Sequence, residues 1–289
     1  MNLFGIDYPL SGVVQGITGA VGRKQTKWMI EAGANLVAGV TPGKEGQEVE
    51  GLPVYNRVAD TVEKLGANAT VIFVPPPFVY SAACEAMDAG IRFIVIVTEF
   101  VPVRDALEIR ERAKRMDVTV IGPNCPGVFV PGHGKLGIMP ASIFINGTIG
   151  VVGRSATLSY EVVGNCSAAG FGQRAAIGIG GDPVACTGFV PVLEWFERDP
   201  GTRAVVLIGE IGGHAEEEAA DFIKTMTKPV VGIIAGRFAP PGKRFGHAGA
   251  IIRAGGGGPE AKVKALENAG ARVGISPAEL PDMLRKALK

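Results

Sequence analysis

The chain has 289 residues, 47% of them apolar, and a formal net charge of +1. The length suggests about two domains, and a near-neutral charge argues against a nucleic-acid footprint or an acidic tail. The apolar runs are strand-sized, well short of the roughly 20 residues of a membrane helix, and no basic head with an apolar core marks a signal peptide. Cys84, Cys125, Cys166 and Cys186 are far apart and form no Cys-x-x-Cys pair, so neither a zinc site nor a redox dithiol is expected. A cytoplasmic, reducing location is expected, with no membrane partner.

In chain order, 13–18 reads as a strand ending in Gly-Ile-Thr-Gly, and 21–32 follows with helical spacing. A strand at 36–40 leads into the turn-rich loop Thr41-Pro42-Gly43-Lys44-Glu45-Gly46. Then come a helix at 57–65, a strand at 70–74, a helix at 78–89, a strand at 93–97, a helix at 102–116 and a strand at 118–121. Residues 124–147 break this rhythm with Pro126, Pro131, Pro140 and several glycines, and read as a linker with room for a small hairpin. The alternation then restarts. Strands are expected at 149–152, 174–178, 204–208, 230–235 and 271–273, and helices at 158–169, 189–197, 215–226, 260–269 and 277–288. Apolar strands alternating with helices of ten or more residues imply parallel βαβ units, covered on both faces. The expected class is α/β with two parallel-sheet domains. The first is Rossmann-like (1–124), 125–148 is a linker, and the second is flavodoxin-like (149–289).

Five places could carry chemistry. Gly16-Ile17-Thr18-Gly19-Ala20-Val21-Gly22 stands between a strand and a helix. Glycines there let a pyrophosphate approach amides at a helix start, although a tight turn without a ligand has the same pattern. After the second strand, Lys44 occupies the region where NAD-binding folds place an acid, which suits a ligand with extra phosphate charge such as CoA or NADP. Gly153-Arg154-Ser155-Ala156-Thr157 opens a helix, where a serine serves as a cap or the helix start as an anion site. Glu210 ends an apolar strand, where open α/β sheets place ligands, and a carboxylate there can fix an imidazole tautomer. His247 lies between small residues in Gly246-His247-Ala248-Gly249-Ala250 and upstream of Gly255-Gly256-Gly257-Gly258, open to the roles of nucleophile, acid, base or metal ligand and equally to that of a surface-loop histidine. Glu216, Glu217 and Glu218 read as a solvated first helical turn, and His133 and His214 as surface residues.

Gly122-Pro123-Asn124-Cys125-Pro126-Gly127, Gly178-Ile179-Gly180-Gly181-Asp182-Pro183, Gly209-Glu210-Ile211-Gly212-Gly213 and Gly246-His247-Ala248-Gly249-Ala250 occur in that order. Together they resemble the α subunits of the succinyl-CoA synthetase (succinate–CoA ligase) family, from about Val13 to the C-terminus. The resemblance implies a nucleotide-dependent acid–thiol ligase forming an acyl-CoA thioester through a phosphohistidine and an acyl phosphate. It implies CoA on the first domain, with Thr18, Gly19, Ala20 and Val21 in its phosphate turn, Lys44 in its Thr-Pro-Gly-Lys loop and Val97, Thr98 and Glu99 along the ligand. In the second domain it implies His247 as the phosphorylated residue and Glu210 as the glutamate holding it. Ser155, Ala156 and Thr157 would cradle the histidine phosphate, and Tyr160 would lie at the carboxylic-acid site. No G-x-x-x-x-G-K-[ST] stretch or Mg²⁺-binding carboxylate set stands out, and the family places ATP or GTP, with Mg²⁺, on an ATP-grasp β subunit. An αβ or α₂β₂ heteromer is therefore expected.

Three stretches depart from the family pattern. Arg23-Lys24-Gln25-Thr26 follows Gly22, Phe100-Val101 follows Glu99, and Ala156 replaces a glycine. Succinate is the first reading of the acid, and the small subunits of citryl-CoA synthetase and malate–CoA ligases share the same plan. Readings of other classes are a non-catalytic CoA-binding regulatory module, an NADP-dependent dehydrogenase and a histidine phosphocarrier without a CoA site.

Overall fold

The computed structural model describes residues 2–7, 10–239, 246–252 and 257–289. The chain divides into two compact units, Met1–Met139 with Val184–Thr187, and Pro140–Pro183 with Gly188–Lys289. No helix among the described residues is long and apolar enough to cross a membrane.

The first unit opens with a two-stranded hairpin, β1 (Asn2–Leu3) and β2 (Ile6–Asp7). There follow β3 (Gly12–Gln15), α1 (Ala20–Glu31), β4 (Leu36–Val40), β5 (Glu48–Val49), β6 (Leu52–Tyr55), α2 (Val58–Leu65) and β7 (Ala69–Ile72). The alternation continues with α3 (Val79–Asp88), β8 (Phe93–Ile96), α4 (Val103–Met116) and β9 (Thr119–Ile121). The sheet order is β5-β6-β4-β3-β7-β8-β9, and every pairing except β5–β6 is parallel. Numbered among the parallel strands alone, this is the 3-2-1-4-5-6 order of a Rossmann fold. Val13, Val14, Val71, Ile72, Ile94 and Ile96 are all at 0% exposure. Burial on both faces of the sheet explains why these strands read as unbroken apolar runs.

The stretch expected as a linker holds an antiparallel hairpin, β10 (Gly127–Val130) and β11 (Gly134–Gly137). Val128, Phe129, Val130 and Leu136 bury their side chains, so glycine and proline had masked a short core strand. The amide of Gly137 donates to Met29 Sδ on α1 at 3.4 Å, which places the hairpin against that helix.

The second unit contains β12 (Asn146–Gly153), α5 (Ala156–Ala168), β13 (Gln173–Gly178), α6 (Phe189–Arg198) and β14 (Ala204–Glu210). It ends with α7 (Ala215–Ile223), β15 (Val230–Ala235), α8 (Pro259–Asn268), β16 (Arg272–Gly274) and α9 (Leu280–Ala287). Its parallel strands lie in the order β13-β12-β14-β15-β16, the 2-1-3-4-5 order of flavodoxin-like sheets. The last helix is shorter than its apolar pattern, because Pro277–Glu279 forms a separate 3₁₀ turn ahead of it. In each unit the strand order reverses beside the first strand, so the carboxyl ends of β3 and β7, and of β12 and β14, are the natural ligand crevices.

Candidate active site

In the first unit the crevice at β3 and β7 is a cavity of about 560 Å³. Thr18, Gly19, Ala20 and Val21 line it, together with Thr41 and Pro42 from the loop after β4. Helix α1 starts after Gly19 without a side-chain cap, and first-turn amides lack partners within their own helix. A Cβ at Gly22 would lie 2.2 Å from the Gly16 carbonyl oxygen, so glycine there lets the helix start close against its own turn. The Thr18 hydroxyl donates to Thr41 Oγ1 at 3.2 Å, and Thr41 donates on to the Val40 carbonyl at 2.8 Å. These bonds tie the glycine turn to the Thr-Pro-Gly-Lys loop. Lys44 is exposed in that loop and is not among the lining residues, nor are Val97, Thr98 and Glu99. Thr98 instead donates to the Val74 carbonyl at 2.7 Å. An amide-rich helix start with a roomy, mostly apolar cavity is chemically suited to a pyrophosphate with an organic tail.

In the second unit, β14 delivers Glu210 at its last position, 4% exposed. Glu210 Oε2 lies 2.6 Å from Nδ1 of His247. Arg154, directly after β12, is 8% exposed and places Nε 3.1 Å from Glu210 Oε1. That contact is at ion-pair distance, without the N–H alignment of a hydrogen bond. The Arg154 Nη2 donates to the Asp182 carbonyl at 3.3 Å. The imidazole lies flat against the loop after β13. A Cβ at Gly181 would be 2.3 Å from both Cγ and Nδ1 of the ring, so only glycine leaves room for it. The loop is closed by Gly249 donating to Gly181 O at 3.3 Å and Ala250 to His247 O at 3.1 Å. Residues 243–245 and Gly255-Gly256, singled out beside His247 in the sequence, lie outside the described residues.

The electrostatics follow from these contacts. The hydrogen bond to Glu210 raises the His247 pKa above the ordinary histidine value, against the opposing effect of burial. The Glu210 and Asp182 charges raise it further and the Arg154 charge lowers it. With Nδ1–H donated to Glu210, Nε2 carries the lone pair. The ring is therefore held in one orientation, with one nitrogen committed to a carboxylate and the other free to take part in proton or group transfer. Ser155 caps α5 by accepting from the Leu158 amide at 3.3 Å, Ala156 and Thr157 open the helix, and Tyr160 sits one turn in. Arg154 immediately precedes that cap, which puts the α5 start beside the Glu210 ion pair.

One part of the site ran against expectation. Glu216 is 0% exposed and pairs with Lys262, also 0% exposed, at 2.5 Å. The acidic run is not a solvated turn, because Glu216 falls on the buried stripe of α7 with Ala219, Ala220 and Ile223. Lys262 falls on the buried stripe of α8 with Pro259, Val263 and Leu266. Helical periodicity flags both: each is a charge at a position where the repeat calls for an apolar residue. His214 and His133 are exposed, as read.

Residues 7–100 match the CoA binding domain family and residues 152–272 the CoA-ligase family. The chain is 54% identical, over 98% of its length and 99% of the relative's, to succinate–CoA ligase [ADP-forming] subunit alpha 2 of Archaeoglobus fulgidus. The chain belongs to the family of succinate–CoA ligase α subunits. It is likewise 56% identical to the corresponding subunit of Methanothermobacter thermautotrophicus, over 96% of this chain and 94% of that one. As a member it is a CoA-ligase chain with a CoA binding domain. Among solved structures, ATP citrate lyase from Methanothrix soehngenii, in complex with citrate and coenzyme A, superposes with a TM-score of 0.87. The identity there is 23%, covering 98% of this chain and half of the lyase chain, and the likeness is one of fold.

Proposed function

We propose that this chain is the α subunit of an ADP-forming succinate–CoA ligase, working with a nucleotide-binding β subunit. The observation that carries the reading is the 2.6 Å contact between Glu210 and His247 Nδ1 at the strand-order reversal of the second unit. The family's succinate-named, ADP-forming relatives, at more than half identity across nearly the full chain, support the acid and the nucleotide.

The chemistry runs in three displacements. His247 Nε2 attacks the γ-phosphorus of ATP, the N–P bond forms, the Pγ–O bond breaks and ADP leaves. The ring keeps its Nδ1 proton and becomes cationic, and the Glu210 carboxylate stabilises that charge. A succinate carboxylate oxygen next attacks phosphorus, the N–P bond breaks and the ring returns to neutral. The thiol sulfur of CoA then attacks the acyl carbon and expels phosphate, and the thiol proton leaves with it. Ser155, Ala156 and Thr157 at the α5 start face the phosphoryl group with helix amides, and Tyr160 borders the acid. In the first unit, Thr18, Gly19, Ala20 and Val21 hold the CoA pyrophosphate, with Lys44 and residues 97–99 reaching the ligand from the surrounding loops. The β subunit is of the ATP-grasp type and brings the nucleotide and Mg²⁺.

The test is thioester formation by the chain with and without its β partner, supplied with ATP, Mg²⁺, CoA and succinate, malate or citrate in turn. The proposal expects succinyl-CoA only when both chains are present. Robust thioester formation by the chain alone, or turnover of citrate in preference to succinate, would refute it.

A further inference from the structure

Behind the Glu210–His247 pair, charged side chains are withdrawn from water. Lys262 Nζ donates to Glu216 Oε2 at 2.5 Å, to Glu217 Oε2 at 2.9 Å and to the Gly213 carbonyl at 3.0 Å. These contacts occupy all three N–H bonds of the ammonium. The other oxygen of Glu216, Oε1, accepts the backbone N–H of Glu210 at 3.0 Å. Gly209 leaves the space this requires, since a Cβ there would meet Glu216 Cγ at 2.6 Å. One continuous set of bonds thus runs from α8, through the first turn of α7, to the main chain of the residue that holds His247.

Packing alone does not call for these charges. The buried stripes of α7 and α8 would accept apolar side chains, and an ion pair loses much of its Coulombic gain to desolvation. What the charges add is direction. A carboxylate held on one oxygen by a lysine presents the other at a fixed point, and that point is the Glu210 amide. Glu216, Glu217 and Lys262 make none of the contacts to the imidazole, which faces Glu210, Arg154 and Asp182. Their influence on it passes through the placement of Glu210.

We propose that Glu216 and Lys262 are positioning residues for phosphoryl transfer, fixing the end of β14 so that the Glu210 carboxylate meets His247 Nδ1. The proposal rests on the reading of His247 as the phosphoryl acceptor. Misplacing a catalytic group by about 1 Å can lower a rate by about a hundredfold.

The experiment uses the αβ complex carrying Lys262→Met, or Glu216→Gln with Lys262→Met. The double variant removes both charges while keeping side-chain volume, and it carries the comparison if the single variant fails to fold. Single-turnover phosphorylation of His247 from ATP and Mg²⁺ is followed across pH, with melting temperature and CoA affinity measured in parallel. Positioning predicts a rate at least about tenfold lower in both variants, with the His247 pH midpoint displaced to lower pH as the Glu210 contact loosens. The double variant recovers thermal stability but neither the rate nor the midpoint, and CoA affinity stays unchanged throughout. Wild-type rate and midpoint in the variants, whatever their melting temperatures, would reduce the cluster to a structural ion pair. Absence of phosphate on His247 in the wild-type complex would instead overturn the acceptor reading, and this proposal with it.

Discussion

A single methyl group at position 181 tests the geometry of the site. The Cβ of Gly181→Ala would lie 2.3 Å from Cγ and Nδ1 of His247, whereas ordinary contact begins at 3.4 Å. The backbone of Gly181 is not in the left-handed region, so alanine meets the ring without backbone strain. The ring must retreat by about 1.1 Å, the difference between those two distances. It can do so, because the His247 side chain is 26% exposed. The retreat is along the ring normal, at right angles to the in-plane Nδ1–H bond, so the Nδ1–Oε2 contact lengthens from 2.6 Å only to about 2.8 Å, while the N–H tilts out of line with Oε2 and the bond weakens. A hydrogen bond to a charged group contributes about 1.5–3 kcal/mol. Losing about half of it from the transition state slows phosphoryl transfer by about 3- to 13-fold, at about 1.36 kcal/mol per tenfold. Rapid-quench measurement of His247 phosphorylation in the αβ complex reads this directly, with thermal melting as the control for folding. Wild-type phosphorylation by Gly181→Ala would show that the Glu210 contact does not govern the nucleophile.

Replacing Glu210 by Gln removes the main cause of the raised His247 pKa. The neutral, nucleophilic ring grows with pH through that raised value, so the midpoint of the phosphorylation profile falls in Glu210→Gln toward the ordinary histidine value of about 6.5. For stability the sign is the reverse. The pair's contribution is complete below about 6.5 and is lost as pH rises through the raised folded value, so melting of Glu210→Gln varies less with pH over that window. Gly22→Ala forces the α1 start off the Gly16 carbonyl and weakens CoA binding by at least about tenfold, the equivalent of one charge-assisted hydrogen bond, as read by calorimetry. The same variant leaves His247 phosphorylation unchanged. Ser155→Ala removes the cap on the Leu158 amide and destabilises the chain by about 1 kcal/mol, as measured by urea denaturation.

Both sheets were legible because their strands are buried on two faces and are uniformly apolar, and because the helices between them are long enough to show a stripe. The short strands β5 and β6 were not, since Gly46, Gly51 and Pro53 surround a run of only a few apolar residues. The hairpin at 127–137 falls in a stretch read as a linker with room for one, and its strands could not be bounded for the same reason. Glu210 and His247 could be paired only through resemblance: they lie 37 residues apart, and periodicity says nothing about a contact between a strand end and a loop. The burial of Glu216 was available, and was obscured by its neighbours. Three consecutive glutamates look like one solvated patch, yet a helix turns each by about 100°, and only Glu216 points to the core. Lys262 gives the same signal, as a lone charge on an otherwise apolar stripe.

The central claim is that His247, held by Glu210, accepts a phosphoryl group and passes it to a carboxylic acid. Its most direct test is mass-spectrometric mapping of acid-labile phosphate after the αβ complex is given ATP and Mg²⁺, and again after succinate and CoA are added. The account predicts phosphate on His247 and nowhere else on this chain, discharged by succinate, with succinyl-CoA and free phosphate released only when CoA is present as well. An unmodified His247 in a complex that still makes succinyl-CoA would contradict it.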